Sequence, residues 1–171
     1  MSLDGKVGII TGPAAGTGAA TAKLFASRGA KLCLLDIDEV GLKRVEADCE
    51  ELGADVLALK CDVSLLPEMD DAISEIICRF AGIDILVNNA IFRSIKPFIE
   101  IKDDEFDKSL FTNIMGYFFL TQKVVPYMIK RHGGRVINVA STFGFVGSSN
   151  LSAYCTCKGA VVNMTRAMAF E

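Results

Sequence analysis

Short, almost uninterrupted apolar segments alternate with longer amphipathic ones along this chain. That alternation limits the fold more than any other feature of the sequence. The apolar segments predict strands at 6–11, 30–36, 54–62, 83–90 and 134–141. The amphipathic segments predict helices at about 16–29, 38–52, 65–81, 103–132 and 152–171. Strands that are apolar at nearly every position are typical of a parallel sheet buried on both faces. We therefore predict an α/β fold with a doubly wound parallel sheet.

The length and composition of the chain are those of one globular domain, which we assign to residues 1–171. A hydrophobic content of 51% and a net charge of −3 exclude a disordered chain and argue against nucleic acid as a partner. No apolar run reaches the roughly 18 residues of a membrane span. The N-terminus also lacks the regions of a signal peptide. We expect a soluble, cytoplasmic protein that does not bind membranes.

The six cysteines and the single histidine do not have the spacing of a metal centre. No CxxC pair is present, and only His132 could join the cysteines as a ligand. The sequence therefore predicts no metal and no disulfide framework, and we expect free thiols.

A glycine-rich turn joins the first predicted strand to the first predicted helix. Its sequence TGPAAGTG places Gly12, Gly16 and Gly18 where the backbone can turn tightly and approach a ligand. The helix that follows presents unpaired N–H groups and a positive dipole end, which suit a pyrophosphate. The strand–turn–helix context makes this turn, with Ala15 and Thr17, a candidate dinucleotide-binding loop.

An acidic residue, Asp36, ends the second predicted strand, 18 residues after Gly18. A carboxylate at this place can accept hydrogen bonds from the adenosine ribose hydroxyls, and it repels a 2′-phosphate. Neither Ala15 nor Ile37 carries a positive charge that would offset this repulsion. The sequence therefore predicts NAD rather than NADP, and the alternative for Asp36 is a solvated strand end.

Tyr154 and Lys158 lie four residues apart at the start of the last predicted helix, so they share one helix face. A free phenol has a pKa near 10, and a nearby ammonium group lowers that value. Such a pair can exchange a proton with an alcohol or a carbonyl as a general acid/base. The alternative is an ordinary surface contact between the two side chains.

Together these motifs resemble the short-chain dehydrogenase/reductase family over essentially the whole chain. TGPAAGTG is similar to the family's TGxxxGxG loop, CDVS (61–64) to its adenine-contacting segment, and NNA (88–90) to its NNAG motif. Ile91 stands where the family has the last glycine of that motif. TNIMG carries Asn113, Ser141 stands 13 residues before Tyr154, and YCTCK is similar to the family's YxxxK.

The resemblance implies a Rossmann-type fold and an NAD-dependent oxidoreductase that transfers a hydride between the nicotinamide and a secondary alcohol or ketone. It implies that Tyr154 is the general acid/base and that Lys158 holds the nicotinamide ribose. It also implies that Ser141 hydrogen-bonds the substrate oxygen and that Asn113 positions a water. The implied catalytic residues are Asn113, Ser141, Tyr154 and Lys158. The implied cofactor contacts are Gly12, Ala15, Gly16, Thr17, Gly18, Asp36, Ile37, Asp62, Val63, Asn89, Ala90, Tyr154 and Lys158.

The family continues beyond its YxxxK helix with further strands and a substrate-covering segment that this sequence lacks. We therefore expect the fifth strand to form a sheet edge. We also expect residues 1–171 alone to have little dehydrogenase activity. Two function classes stay open. One is an NAD-dependent dehydrogenase whose remaining part is supplied elsewhere. The other is a truncated, non-catalytic relative that binds a dinucleotide or serves as an oligomerisation module.

Helices 103–132 and 152–171 resemble those through which family members form dimers and tetramers, so we expect a homo-oligomer. Phe111, Tyr117, Phe118 and Phe119 are candidates for that contact, although core positions are the simpler interpretation.

Overall fold

The computed structural model describes residues 2–171, which contain one five-stranded sheet. The strands are β1 (Val7–Thr11), β2 (Lys31–Asp36), β3 (Val56–Lys60), β4 (Ile85–Asn88) and β5 (Arg135–Asn138). Their order is β3-β2-β1-β4-β5, and every neighbouring pair is parallel. The predicted doubly wound, Rossmann-type sheet is therefore confirmed.

Six α-helices accompany the sheet in the described part of the chain. They are α1 (Gly16–Ala26), α2 (Glu39–Glu51), α3 (Leu66–Phe80), α4 (Asp103–Leu110), α5 (Gly116–Lys130) and α6 (Ser152–Met168). Gly29 and Gly53, which the sequence places at the ends of α1 and α2, adopt φ angles of +84° and +86°. Glycine takes this left-handed conformation without a steric penalty, and it ends a helix.

The single helix predicted over 103–132 is interrupted between α4 and α5. Residues Phe111–Met115 form a π-helical turn, which inserts an extra residue into the helical register. Such turns occur often at functional sites. This one contains Asn113, a predicted catalytic residue.

Two apolar cores lie on opposite faces of the sheet, because successive side chains of a strand point to opposite faces. Ile9 of β1 belongs to the core that includes Ile76 of α3 and Leu120 of α5. The next residue, Ile10, belongs to the core that includes Val45 of α2 and residues of α1. Both faces of the central strand are thus covered, which explains why its sequence is apolar throughout.

Strand β5 forms one edge of the sheet within residues 2–171. It pairs with β4 alone, and its Ile137 side chain is 46% exposed. The expected sheet edge at the fifth strand is therefore confirmed for this part of the chain. In the same residues no helix is long and apolar enough to cross a membrane.

The strand order changes direction at β1, because β2 lies on one side of it and β4 on the other. The chain leaves the carboxyl ends of β1 and β4 towards opposite faces, which opens a crevice at this point of the sheet. The glycine-rich turn follows β1, and NNA covers the end of β4 and the residues after it.

Candidate active site

The glycine-rich loop lies directly against the segment that follows β4. A Cβ atom at Gly12, whose φ is +67°, would come within 2.8 Å of the Cα of Ala90. A Cβ at Gly18 would come within 2.2 Å of the Gly12 carbonyl oxygen. These two glycines let the loop, the first turn of α1 and the segment after β4 approach one another closely.

Thr11 and Asn89 join the two segments through hydrogen bonds. The Asn89 side-chain amide donates to the carbonyl oxygens of Thr11 at 3.0 Å and Gly12 at 2.9 Å. The Thr11 hydroxyl accepts from the backbone N–H groups of Asn89 at 2.9 Å and Ala90 at 3.0 Å. Asn89, a predicted cofactor contact, therefore holds the glycine-rich loop in shape and also lines the cleft beside it.

Helix α1 begins without a side-chain cap and has no acidic residue in its first turn. Helix α2 differs, because the Asp38 carboxylate accepts hydrogen bonds from the N–H groups of Val40 and Gly41. The first-turn N–H groups of α1 and the positive end of its dipole are thus available to an anion.

Asp36 lies at the end of β2, beside the loop. Its two carboxylate oxygens accept backbone N–H groups, from Ala14 at 2.9 Å and from Asp38 at 3.0 Å. Arg44 of α2 donates to the Ala14 carbonyl oxygen at 3.1 Å, so a guanidinium group contacts the glycine-rich loop. Ala15 and Ile37 carry no positive charge, and the sequence did not indicate Arg44, because no local spacing relates Arg44 to the loop.

A cleft of about 460 Å³ opens between these segments, a volume within the range of small-molecule sites. Every predicted cofactor contact except Gly18, Tyr154 and Lys158 lines it. The lining residues that the sequence did not indicate are Ala14, Leu35, Cys61, Ile91, Phe92, Lys108 and Thr112. The ammonium of Lys108 lies 4.8 Å from the centroid of the Phe92 ring, so a cation also faces this cleft.

Asp62 is held in place at the far wall of the cleft. One of its carboxylate oxygens accepts from the backbone N–H of Ser64 at 2.9 Å and from the Ser64 hydroxyl at 2.7 Å. This turn also explains why β3 ends at Lys60, two residues before the predicted end. The neighbouring thiol of Cys61 is buried, and burial raises its pKa to about 12. Cys61 therefore lines the cleft as an uncharged thiol.

Lys158 of α6 is almost completely buried, with 1% of its surface exposed. Its ammonium donates to the Val139 carbonyl oxygen at 2.5 Å and to the Tyr117 hydroxyl at 3.4 Å. It also lies 5.9 Å from the centroid of the Tyr154 ring, as expected for a pair on one helix face. Burial lowers the pKa of Lys158 to about 8, although the nearby Cys157 partly opposes this shift.

Asn113 is fully buried and clamps the segment that follows β4. Its amide nitrogen donates to the Phe92 carbonyl oxygen at 2.7 Å, and its amide oxygen accepts from the Phe92 N–H at 2.8 Å. Because Phe92 lines the cleft, this clamp connects the cleft with the catalytic side of the site. The neighbouring thiol of Cys157 hydrogen-bonds the Ser109 carbonyl oxygen at 3.5 Å, which ties α6 to α4.

Ser141 follows β5 and caps a short 3₁₀ turn. Its hydroxyl oxygen accepts from the Phe143 N–H at 3.2 Å, which leaves the hydroxyl proton free to be donated. The Phe143 ring packs edge-on against Tyr154, with the two centroids 6.5 Å apart. Phe143, which hydrogen-bonds Ser141, thus also contacts Tyr154.

Comparison with known proteins identifies the family of this chain. Residues 6–171 match the short chain dehydrogenase family, so the chain belongs to it. It is 34% identical over 171 residues to the 3-oxoacyl-[acyl-carrier-protein] reductase FabG of Thermotoga maritima, covering 100% of this chain and 70% of that protein. It is 36% identical over 167 residues to the sorbitol dehydrogenase of Cereibacter sphaeroides, covering 97% of this chain and 64% of that protein.

Solved structures agree with this assignment. The crystal structure of NAD⁺-bound xylitol dehydrogenase superposes with a TM-score of 0.95 at 32% sequence identity. That superposition covers 99% of this chain and 66% of the xylitol dehydrogenase chain. The chain therefore spans about two thirds of the length of these relatives.

Proposed function

We propose that this chain is an oxidoreductase that transfers a hydride between NAD and a secondary alcohol or ketone, with Tyr154 as general acid/base. The observation that carries the proposal is the fixed position of the buried Lys158 ammonium, 5.9 Å from the Tyr154 ring centroid. The Asn113 side chain, which neighbours Cys157 beside Lys158, holds Phe92 of the cleft next to the glycine-rich loop. This arrangement supports a site that combines substrate-side and cofactor-side groups.

The residues of the cleft fit a bound dinucleotide. The uncapped first turn of α1 suits the pyrophosphate, and the Asp36 carboxylate retains lone pairs for ribose hydroxyl groups. The second carboxylate oxygen of Asp62 suits the amino group of adenine. The xylitol dehydrogenase relative contains NAD⁺, which supports NAD as the cofactor here.

The chain's own side chains provide the proton chemistry, while a bound nicotinamide supplies or accepts the hydride. Tyr154 exchanges a proton with the substrate oxygen, and the Lys158 ammonium stabilises the phenolate that results. Ser141 donates its free hydroxyl proton to the same oxygen. The Asn113 side chain is engaged with Phe92, so in this proposal Asn113 contributes by holding that residue of the cleft in place.

The proposal includes a cytoplasmic homo-oligomer that acts on a small-molecule alcohol or ketone. By their names, one relative acts on an alcohol, sorbitol, and another on a 3-oxoacyl group that is attached to acyl-carrier protein. Of the four aromatic candidates for a subunit contact, Tyr117 is buried and Phe119 is partly buried against the core. Phe111 and Phe118 are exposed by 42% and 41% and are the better candidates.

Tyr154→Phe tests the proposal, because it keeps the ring and removes the proton donor. We expect turnover to fall by roughly 10²–10⁴-fold. NAD affinity, measured by calorimetry, should stay within about twofold, since the ring remains. Lys158→Ala should reduce both turnover and NAD affinity. The control is Tyr127→Phe, a tyrosine of α5 whose ring contacts Lys130.

Two outcomes would contradict the proposal. Substantial turnover in Tyr154→Phe would remove Tyr154 from the mechanism. Little turnover by residues 1–171 alone is expected and does not distinguish the two classes. NAD binding without turnover in a protein that also carries the segments that follow the YxxxK helix in the family, across a panel of secondary alcohols and ketones, would favour the non-catalytic relative instead.

A further inference from the structure

A second tyrosine contacts the proposed catalytic lysine. Tyr117 lies on α5, one helical turn after Asn113, and is 1% exposed. Its hydroxyl oxygen accepts a hydrogen bond from the Lys158 ammonium at 3.4 Å. The same ammonium lies 5.2 Å from the centroid of the Tyr117 ring. The lysine thus meets both the hydroxyl and the ring of this side chain.

The other groups that face the ammonium are neutral, so Tyr117 is one of a few groups that stabilise the charge. They are the Val139 carbonyl oxygen on the β5 side and, on α6, the Tyr154 ring and the Cys157 thiol. Among residues 2–171 no carboxylate forms an ion pair with Lys158. In a buried site of low dielectric, each hydrogen bond to a charge has a larger effect than it has in water.

We infer that Tyr117 is a positioning residue of this active site, which holds the Lys158 ammonium charged and directed towards Tyr154. The inference rests on the proposed function of the Tyr154–Lys158 pair. The hydrogen bond and the ring face both favour the charged amine, whereas burial opposes it. Burial also raises the pKa of Tyr117, so its hydroxyl stays neutral and remains an acceptor.

Tyr117→Phe separates the hydroxyl from the ring. The ring still covers the ammonium, but the hydrogen bond is lost, so the neutral amine is favoured. We expect the pKa of Lys158 to fall by about one unit, the scale of one hydrogen bond to a charged group. A neutral amine cannot stabilise a phenolate, so the high-pH limb of kcat/KM should move to lower pH by the same amount.

The experiment measures the pKa of Lys158 directly, by NMR titration of protein labelled with ¹³C at the lysine Cε atoms. Lys158→Met assigns the signal. Tyr127→Phe is the matched control, because Tyr127 lies on the same helix and its ring contacts a different lysine, Lys130. We expect the Lys158 titration to shift in Tyr117→Phe and to stay unchanged in Tyr127→Phe. The pH profile of kcat/KM is measured on the unaltered protein, Tyr117→Phe and Tyr127→Phe.

A Lys158 titration that coincides in Tyr117→Phe and in the unaltered protein would overturn the inference. So would a Lys158 titration that moves to higher pH in Tyr117→Phe, because loss of a hydrogen bond to the ammonium favours the neutral amine. A purely structural role would lower the stability of Tyr117→Phe and leave both the titration and the pH profile in place. A shifted titration without turnover, in a protein that also carries the segments that follow the YxxxK helix in the family, would support the placement of Tyr117 and contradict the proposed function instead.

Discussion

A buried lysine without a carboxylate partner is unusual, because lysine is almost never fully buried unless its charge is paired. Lys158 satisfies two of its N–H donors with neutral oxygens, and its third donor is left for a ligand. Burial of this charge destabilises the folded state, and such an arrangement is common where a site is arranged for function rather than for stability.

This burial predicts how stability responds when the lysine is removed. The pKa of Lys158 falls from 10.5 to about 8, so the folded protein binds fewer protons than the unfolded chain between these values. Below pH 8 the charged lysine therefore destabilises the fold fully, and this effect disappears as pH rises towards 10.5. We expect Lys158→Met to be more stable by about 1–3 kcal/mol at pH 7 and to lose part of that difference by pH 9.5.

Urea unfolding at the two pH values measures this difference. The control is Lys130→Met, an exposed lysine at the end of α5, whose stability should follow that of the unaltered protein. Equal or lower stability of Lys158→Met at pH 7 would show that the charge is better compensated than its neutral partners imply.

Asp36 predicts the choice between NAD and NADP. Asp36→Asn removes the negative charge and keeps an acceptor for the Ala14 N–H. We expect the preference for NAD(H) over NADP(H) to narrow by roughly tenfold, because one repulsive charge near the 2′-phosphate is lost. Calorimetric titration of both cofactors measures the preference. Arg44→Gln, which removes the neighbouring cation, should widen it. Tighter binding of NADP(H) than NAD(H) by the unaltered protein would contradict the NAD assignment.

At the scale of the elements, Asp84 joins β1, β4 and the end of α5. Its carboxylate accepts from the Val7 N–H at 2.9 Å and from two nitrogens of Arg131 at 3.2 and 3.3 Å, and Lys6 lies 3.5 Å away. Burial alone raises the pKa of Asp84, but these hydrogen bonds and cations outweigh it, so the pKa lies below its usual range. The contribution to stability is therefore present above about pH 4 and is lost as pH falls through the folded-state pKa.

We expect Asp84→Asn to lower the free energy of unfolding at pH 7 by about 1–3 kcal/mol, because Arg131 loses its charged partner. The difference from the unaltered protein should shrink as the pH falls from about 4 through the lowered folded-state pKa, because the carboxylate then becomes protonated in the folded protein as well. Thermal unfolding between pH 7 and pH 2.5 follows this change. Asp70→Asn is a suitable control, because Asp70 pairs with Lys123 on the exposed surface. A difference that does not depend on pH would show that the charge of Asp84 is irrelevant.

The sequence predicted the elements well, because their signals are local. Apolar segments, glycines at helix ends and the strand–turn–helix loop each depend on neighbouring residues, and the structure places them as expected. What the sequence did not indicate depends on contacts distant along the chain. Asn89 reaches back to Thr11, Asn113 clamps Phe92, and Arg44 reaches the loop of Ala14.

The π-helical turn between α4 and α5 has the same origin. The sequence of residues 103–132 fits one helix. The π-helical turn contains Asn113, whose side chain contacts Phe92, 21 residues away, and a contact this distant has no local signal. Ser141 shows the reverse case. A serine that follows a strand often caps the next turn, and the structure gives Ser141 that role two residues before Phe143, whose ring contacts Tyr154.

At the scale of the whole molecule, two exposed aromatic residues predict self-association. They are Phe111 of the π-helical turn and Phe118 of α5. Phe111 and Phe118 are exposed by 42% and 41%, and Phe118 packs edge-on against Phe119. Phe111 also lines a groove of about 290 Å³, together with Leu66, Met115 and Phe119. Contiguous apolar surface of this kind is typical of a protein–protein interface.

We expect the protein to form a homo-oligomer through this surface. The double variant Phe111→Ser/Phe118→Ser should be a monomer, because truncating central aromatic residues removes most of the binding energy of an interface. Light scattering coupled to size-exclusion chromatography, at several protein concentrations, measures the mass. Val40→Ser is the control, since Val40 is an apolar residue of α2 that is 82% exposed and lies on a different helix. Circular dichroism establishes that the double variant keeps its helices. An unaltered protein that is monomeric at all concentrations, or a double variant with the mass of the unaltered oligomer, would exclude this surface as the contact.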